Sequence, residues 1–126
     1  WVVVRDTPDY EGELMEEIIE KIVNKLKKYK LDKENITLNI MNGEYFININ
    51  AVTNRETQEI LDIKMIFEYI GKISTGSYGI MYLRNDEDIN GKDNEFEVYI
   101  LSRGSVRIEQ DVFLSPCIPT IEDLVE

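Results

Sequence analysis

Asp86, Asp88, Asn90 and Glu97 stand at the first, third, fifth and twelfth places of a twelve-residue run, with Gly91 at the sixth. That is the ligand spacing of a Ca²⁺-binding EF-hand loop, where carboxylate and amide oxygens surround a hard cation and the glycine makes the sharp turn. The flanks argue against it. An EF-hand needs a helix on each side, whereas Ile80-Met81-Tyr82-Leu83 and Phe96-Glu97-Val98-Tyr99 have the composition of strands. Asp93 also fills the eighth place, where such loops normally carry an aliphatic residue. The run is therefore expected to be an acidic hairpin loop facing solvent or a partner, with no metal or other cofactor. Gly71-Lys72-Ile73-Ser74-Thr75-Gly76 has the glycine spacing of a phosphate-binding loop, but Ser77-Tyr78 stands where Lys and a hydroxyl residue are needed. A helix would also precede rather than follow it, so phosphate binding is not expected.

The remaining chemistry is sparse. The chain has no histidine, which removes Ser-His-Asp and Cys-His nucleophiles, His-ligated zinc and the commonest general acid–base. Its one cysteine, Cys117, permits no intrachain disulfide and, set between two prolines, is expected to fill space in the core. An enzyme built here would depend on carboxylates, Tyr or Lys, and no spacing singles out a carboxyl pair. The expectation is a protein without catalytic residues.

Charge points to a partner class. The net charge of −11 is concentrated in residues 85–126, which hold eleven acidic against three basic side chains. Such a field repels nucleic acid and anionic lipid and speeds encounter with a basic protein. No apolar run approaches the roughly 18 residues needed to span a bilayer.

Positioning these residues requires a domain, and 126 residues suffice for one. Trp1-Val2-Val3-Val4-Arg5 reads as an opening strand ended by Asp6-Thr7-Pro8. From about Asp9 to Lys30, Leu14, Ile18, Ile22, Leu26 and Tyr29 recur at spacings of four and three, which predicts an amphipathic helix. Its acidic residues come first and its lysines last, matching the helix dipole. Asn42-Gly43 favours a two-residue type I′ turn between Ile36–Met41 and Glu44–Ile49, pairing Met41 with Glu44 and Ile36 with Ile49. Thr53-Asn54-Arg55-Glu56 fits a capping box opening a second helix to about Ile73, apolar almost all round and so expected to be more buried than the first. Strands centred on Ile80–Leu83, Phe96–Leu101 and Val106–Glu109 complete the order β-α-β-β-α-β-β-β. That order predicts a two-layer α+β domain over residues 1–126, a mainly antiparallel sheet with two helices on one face, its first six elements compatible with a ferredoxin-like core. Pro116 and Pro119 restrict the end of the chain, so residues 113–126, starting at Phe113, are expected to form an extended strap closing the core.

The chain also resembles a known family. Trp1-Val2-Val3, Asn54-Arg55, Gly76-Ser77-Tyr78-Gly79 leading through Arg84 to Asp88, the pair Arg103-Gly104, and above all the tail from Asp111 to Asp123 look like the immunity protein 7 family of bacterial polymorphic-toxin and contact-dependent inhibition systems. The resemblance implies a cytoplasmic α+β protein that binds and neutralises a cognate toxin effector domain, and it brings no catalytic residues. Many such effectors are nucleases with basic clefts, which the acidic third of the chain would occlude by charge complementarity. Asp86, Glu87, Asp88, Asp93, Glu95 and Glu97 are then the candidate contact residues, with Tyr82 and Tyr99 as aromatic hot spots where exposed. The competing expectations are an acidic regulatory or scaffolding module for a basic host protein and, remotely, a carboxylate-dependent enzyme.

Overall fold

A computed structural model describes residues 1–6, 13–30, 36–50 and 57–118. The described elements run β1 (Val2–Val4), α1 (Glu13–Lys28), β2 (Ile36–Met41), β3 (Glu44–Ile49), α2 (Gln58–Ile73), β4 (Tyr78–Arg84), β5 (Phe96–Ser102) and β6 (Ser105–Gln110). The predicted order is therefore realised. The expected helix start at Asp9 and the Thr53–Glu56 capping box lie outside the described residues. Within them, α2 is capped by Thr57, whose hydroxyl accepts from the Ile60 N–H at 3.4 Å.

Six strands form one sheet in the order β2-β3-β1-β4-β5-β6, with every neighbouring pair antiparallel. The β1-α1-β2 and β3-α2-β4 connections each skip one strand, which is the ferredoxin-like arrangement. The β5–β6 hairpin extends that core beyond β4. The β2–β3 and β5–β6 hairpins each turn on a pair of positive-φ residues, Asn42-Gly43 and Arg103-Gly104, the backbone a type I′ turn requires. The Asn42-Gly43 turn sets the predicted register, with Met41 opposite Glu44 and Ile36 opposite Ile49.

Side-chain alternation then divides the sheet into two faces. Val2, Val4, Ile47, Leu83, Tyr99 and Leu101 join Ile18, Ile22 and Leu26 of α1 and Ile60, Ile63, Ile66, Phe67 and Ile70 of α2 in one core. The helix spacing of four places the α1 residues on a single stripe, as expected. Helix α2 is the more buried of the two, as expected, with Ile60, Ile63, Ile66, Phe67, Ile70 and Gly71 buried, while Leu61 and Met65, four residues apart, are exposed on its outer side. Leu38 and Ile40 share the helix-side face with Ile47 but are also exposed, because β2 is the outermost strand.

Val3, Phe46, Tyr78, Ile80, Tyr82, Phe96 and Ile100 occupy the opposite face by register. No described helix packs there, since both helices contribute to the core on the other side. Gly79 of β4 lies tight against β1, opposite Val2. A Cβ on it would sit 2.4 Å from the Trp1 carbonyl oxygen and 2.9 Å from the Val2 Cα. Neither backbone atom can rotate away, so Gly79→Ala should destabilise the fold by about 1–3 kcal/mol. The check is a lower urea midpoint with an unchanged slope.

Candidate functional site

Residues 85–95 connect β4 to β5, with Arg84 paired to Phe96 at the loop's base. Five acidic residues and one lysine occupy these eleven positions. Short polar side chains fold the loop on itself. The Asn85 side-chain oxygen accepts from the Glu87 N–H at 3.1 Å, and that of Asp88 accepts from the Asn90 N–H at 2.8 Å. Arg84 Nε donates to the Asp93 carbonyl at 3.0 Å, tying the loop's return leg to the sheet. Asp86, Glu87, Asp93 and Glu95 are exposed and Asp88 is half-buried. Self-repulsion of this kind is tolerated at a surface and neutralised by a basic partner.

The Ca²⁺-like pattern is not gathered into a ligand shell. Asp88 commits one oxygen to the Asn90 N–H, and Glu97 lies inside β5 opposite Leu83 and Gln110. Among the described residues no group of three or more acidic, Cys or His side chains is disposed to hold a metal. Glu97 is half-buried on the helix-side face, away from Tyr82. Tyr99 requires a correction. It is 8% exposed and belongs to the core, because it alternates onto the same face as Leu101, so it cannot be a contact hot spot. Tyr82 is exposed on the open face, its ring edge-on to Phe96 at 5.6 Å between centroids.

Tyr82 leads to a centre that the sequence pattern does not announce. Its hydroxyl donates to Asp111 at 3.2 Å. The Asp111 carboxylate also accepts from the Phe113 N–H at 3.0 Å, the Leu114 N–H at 2.7 Å and the Ser115 hydroxyl at 3.0 Å. Ser115 in turn accepts from the Phe96 N–H at 2.9 Å. Asn94 completes the attachment: its carbonyl accepts from Cys117, and its side chain exchanges two hydrogen bonds with the Ile118 backbone. An Asp followed at two and three residues by N–H groups it can reach is the one local signal for this motif.

Burial alone would raise the Asp111 carboxyl, but the Phe113 and Leu114 amides and the Ser115 and Tyr82 hydroxyls outweigh it and hold it below its usual range. Burial, then the hydrogen bond and charge of Asp111, push the Tyr82 phenol up. Because Asp111 titrates lower in the folded chain than in the unfolded one, its anchoring is complete above the ordinary aspartate value of about 4. The anchoring is lost as pH falls through the lower folded value. The amide resonances of Phe113 and Leu114 should therefore shift together only in acid, and Asp111→Asn should abolish that shared titration.

The described part of the strap, residues 113–118, departs from the expectation that the strap closes the core. Val112 and Phe113 are 79% and 84% exposed, and Leu114 and Ile118 are exposed as well. The segment docks through its backbone and polar groups, which turns its apolar side chains outward. Cys117 is half-buried, and burial pushes its thiol up. The part of the predicted strap from residue 119 onward lies outside the described residues.

On the same open face, Tyr78 stands between Trp1, edge-on at 5.9 Å, and the Arg5 guanidinium, 5.5 Å from its ring centre. Arg5 also pairs with Glu44. The alternation of Tyr78, Ile80 and Tyr82 with Gly79, Met81 and Leu83 was the sequence signal for this row.

A ferredoxin-like sheet with both described helices on one face, an aromatic row on the other, an acidic loop and an outward-facing apolar strap defines a domain rich in contact surface. A family model described as immunity protein 7 matches residues 1–123, and the chain belongs to that family. Its role is that of an immunity protein, and its partner is a toxin. No curated protein and no solved structure matches it. Among the described residues no helix is long and apolar enough to cross a membrane.

Proposed function

We propose that this protein neutralises a cognate toxin by laying its acidic loop end against a basic surface of the toxin's effector domain, in the cytoplasm of the cell that carries both genes. The observation that carries this reading is the loop itself: five acidic residues within residues 85–95, four of them exposed, on a backbone held by its own Asn and Asp side chains. A preformed acidic surface raises the encounter rate with a basic one and sets its orientation. A nuclease effector suits this chemistry, because a cleft that holds phosphates must be basic. Inhibition then consists of occupancy, with no bond made or broken and no cofactor required. One immunity protein should silence one effector domain.

The experiment is co-expression with the effector domain of the toxin encoded beside this gene. Cells should survive induction of the effector only when the immunity protein is present. Death despite soluble immunity protein would overturn the reading.

A further inference from the structure

We infer that the strap from Val112 to Ile118 is the apolar anchor of the toxin interface, and that it seats Phe113 in an apolar pocket bordered by basic residues on the effector domain. This rests on the toxin-binding role proposed above and assigns it a second part, separate from the acidic loop.

The argument begins with what holds the strap. Six hydrogen bonds to Asp111 and Asn94 fix the backbone from Phe113 to Ile118, counting the Phe113, Leu114 and Ser115 donors to Asp111 and the Cys117 and Ile118 bonds to Asn94. A loosely attached tail would let its apolar side chains turn inward against the sheet. This one is pinned with Phe113, Leu114 and Ile118, and Val112 just before them, all exposed to water. A row of this kind on a domain surface marks a contact site rather than scattered exposure. Ordering it in advance also lowers the entropy cost of binding.

Charge says what covers it. Asn94, which grips Ile118, is flanked in sequence by Asp93 and Glu95, both exposed. The apolar row is thus bordered by the acidic loop. An apolar centre with a charged rim is the anatomy of a protein interface, and the sign of the rim selects a partner whose own rim is basic. A second copy of this chain would bring acidic rim against acidic rim, which opposes self-association through this face.

The two parts should separate kinetically. Long-range charge acts on association, whereas an anchor buried at the centre acts on dissociation. Asp111 is a positioning residue in this scheme: it touches no toxin and orders the strap.

The test measures binding of the neighbouring toxin's effector domain to immunity variants by surface plasmon resonance at two salt concentrations. Phe113→Ala should weaken binding about 30-fold or more through faster dissociation, with little change in association or its salt dependence. Asp111→Ala should do the same, and Asp111→Asn, which keeps an acceptor, should recover part of the loss. Ile40→Ala, a 63% exposed residue on the far edge strand, should change nothing. Phe113 is so exposed that its truncation should leave the fold intact, which an unchanged thermal melt would verify. If Phe113→Ala binds like the parent while loop charge reversal slows association, the strap inference is overturned and the acidic-loop reading stands. If the parent itself fails to bind the effector domain, both are overturned.

Discussion

Reversing the charge of the β4–β5 loop should slow association with the effector domain about ten- to a hundredfold at low salt and remove most of its salt dependence. The variant that tests this carries Asp86→Lys, Glu87→Lys and Asp93→Lys, together with Asp88→Asn. The last change keeps the side-chain oxygen that accepts from the Asn90 N–H, so the loop retains its fold while its field changes sign. Arg84 is unaffected, because it grips the Asp93 carbonyl and not the carboxylate. Dissociation should change less than association, since Asp86, Glu87 and Asp93 are exposed and contribute little once surrounded by water and salt. Stopped-flow association between 20 and 500 mM salt is the measurement. Equal rates for parent and variant at every salt concentration would remove the loop from the encounter.

The largest loss of stability should come from Leu101→Ala. Leu101 is fully buried near the C-terminal end of β5, opposite Gly79 and Val106, and α2 comes down onto it at Gly71. A Cβ at Gly71 would lie 2.6 Å from Leu101 Cδ1, so helix and strand are already at contact distance. Removing the side chain leaves a cavity beneath a helix that other core residues hold in place, and the expected cost is about 2–5 kcal/mol. For a small domain with about 5–15 kcal/mol in total, that is a large share. Urea denaturation should show the midpoint falling accordingly. In cells the variant should protect less well through lower abundance rather than through weaker binding, which a purified sample at low temperature would reveal as near-parental affinity.

Local rules account for what was legible in the chain. The Asn42-Gly43 turn and the alternation on either side of it specify a register that the sheet adopts residue for residue. The spacing of Ile18, Ile22 and Leu26 likewise names the buried stripe of α1. Strand order was not legible, because two crossovers through helices are decided by which faces can be covered and not by any local motif. Tyr99 shows the same limit at the level of one residue. Its strand was evident, but which side of β5 faces the helices follows from pairing with β4 and β6.

The tail shows the opposite failure. Its apolar composition and two prolines suggest a segment that closes the core, yet hydrogen bonds from its backbone to Asp111 and Asn94 decide its orientation. Composition reports what a segment would bury if free to choose. A buried carboxylate satisfied by four donors constrains it more tightly than the area of four exposed apolar side chains. The acidic loop was legible as a loop and as acidic. Its failure to gather metal ligands depended on Asp88 turning to Asn90 and on Glu97 lying within a paired strand.

Hydrogen exchange on the immunity protein, free and in a one-to-one complex with the effector domain, tests the account most directly. Protection should appear in residues 85–95 and 111–118, with the β2 edge and the outer side of α2 around Leu61 and Met65 unchanged. Protection confined to β2 or to the helices, with the loop and strap exchanging as in the free protein, would contradict it.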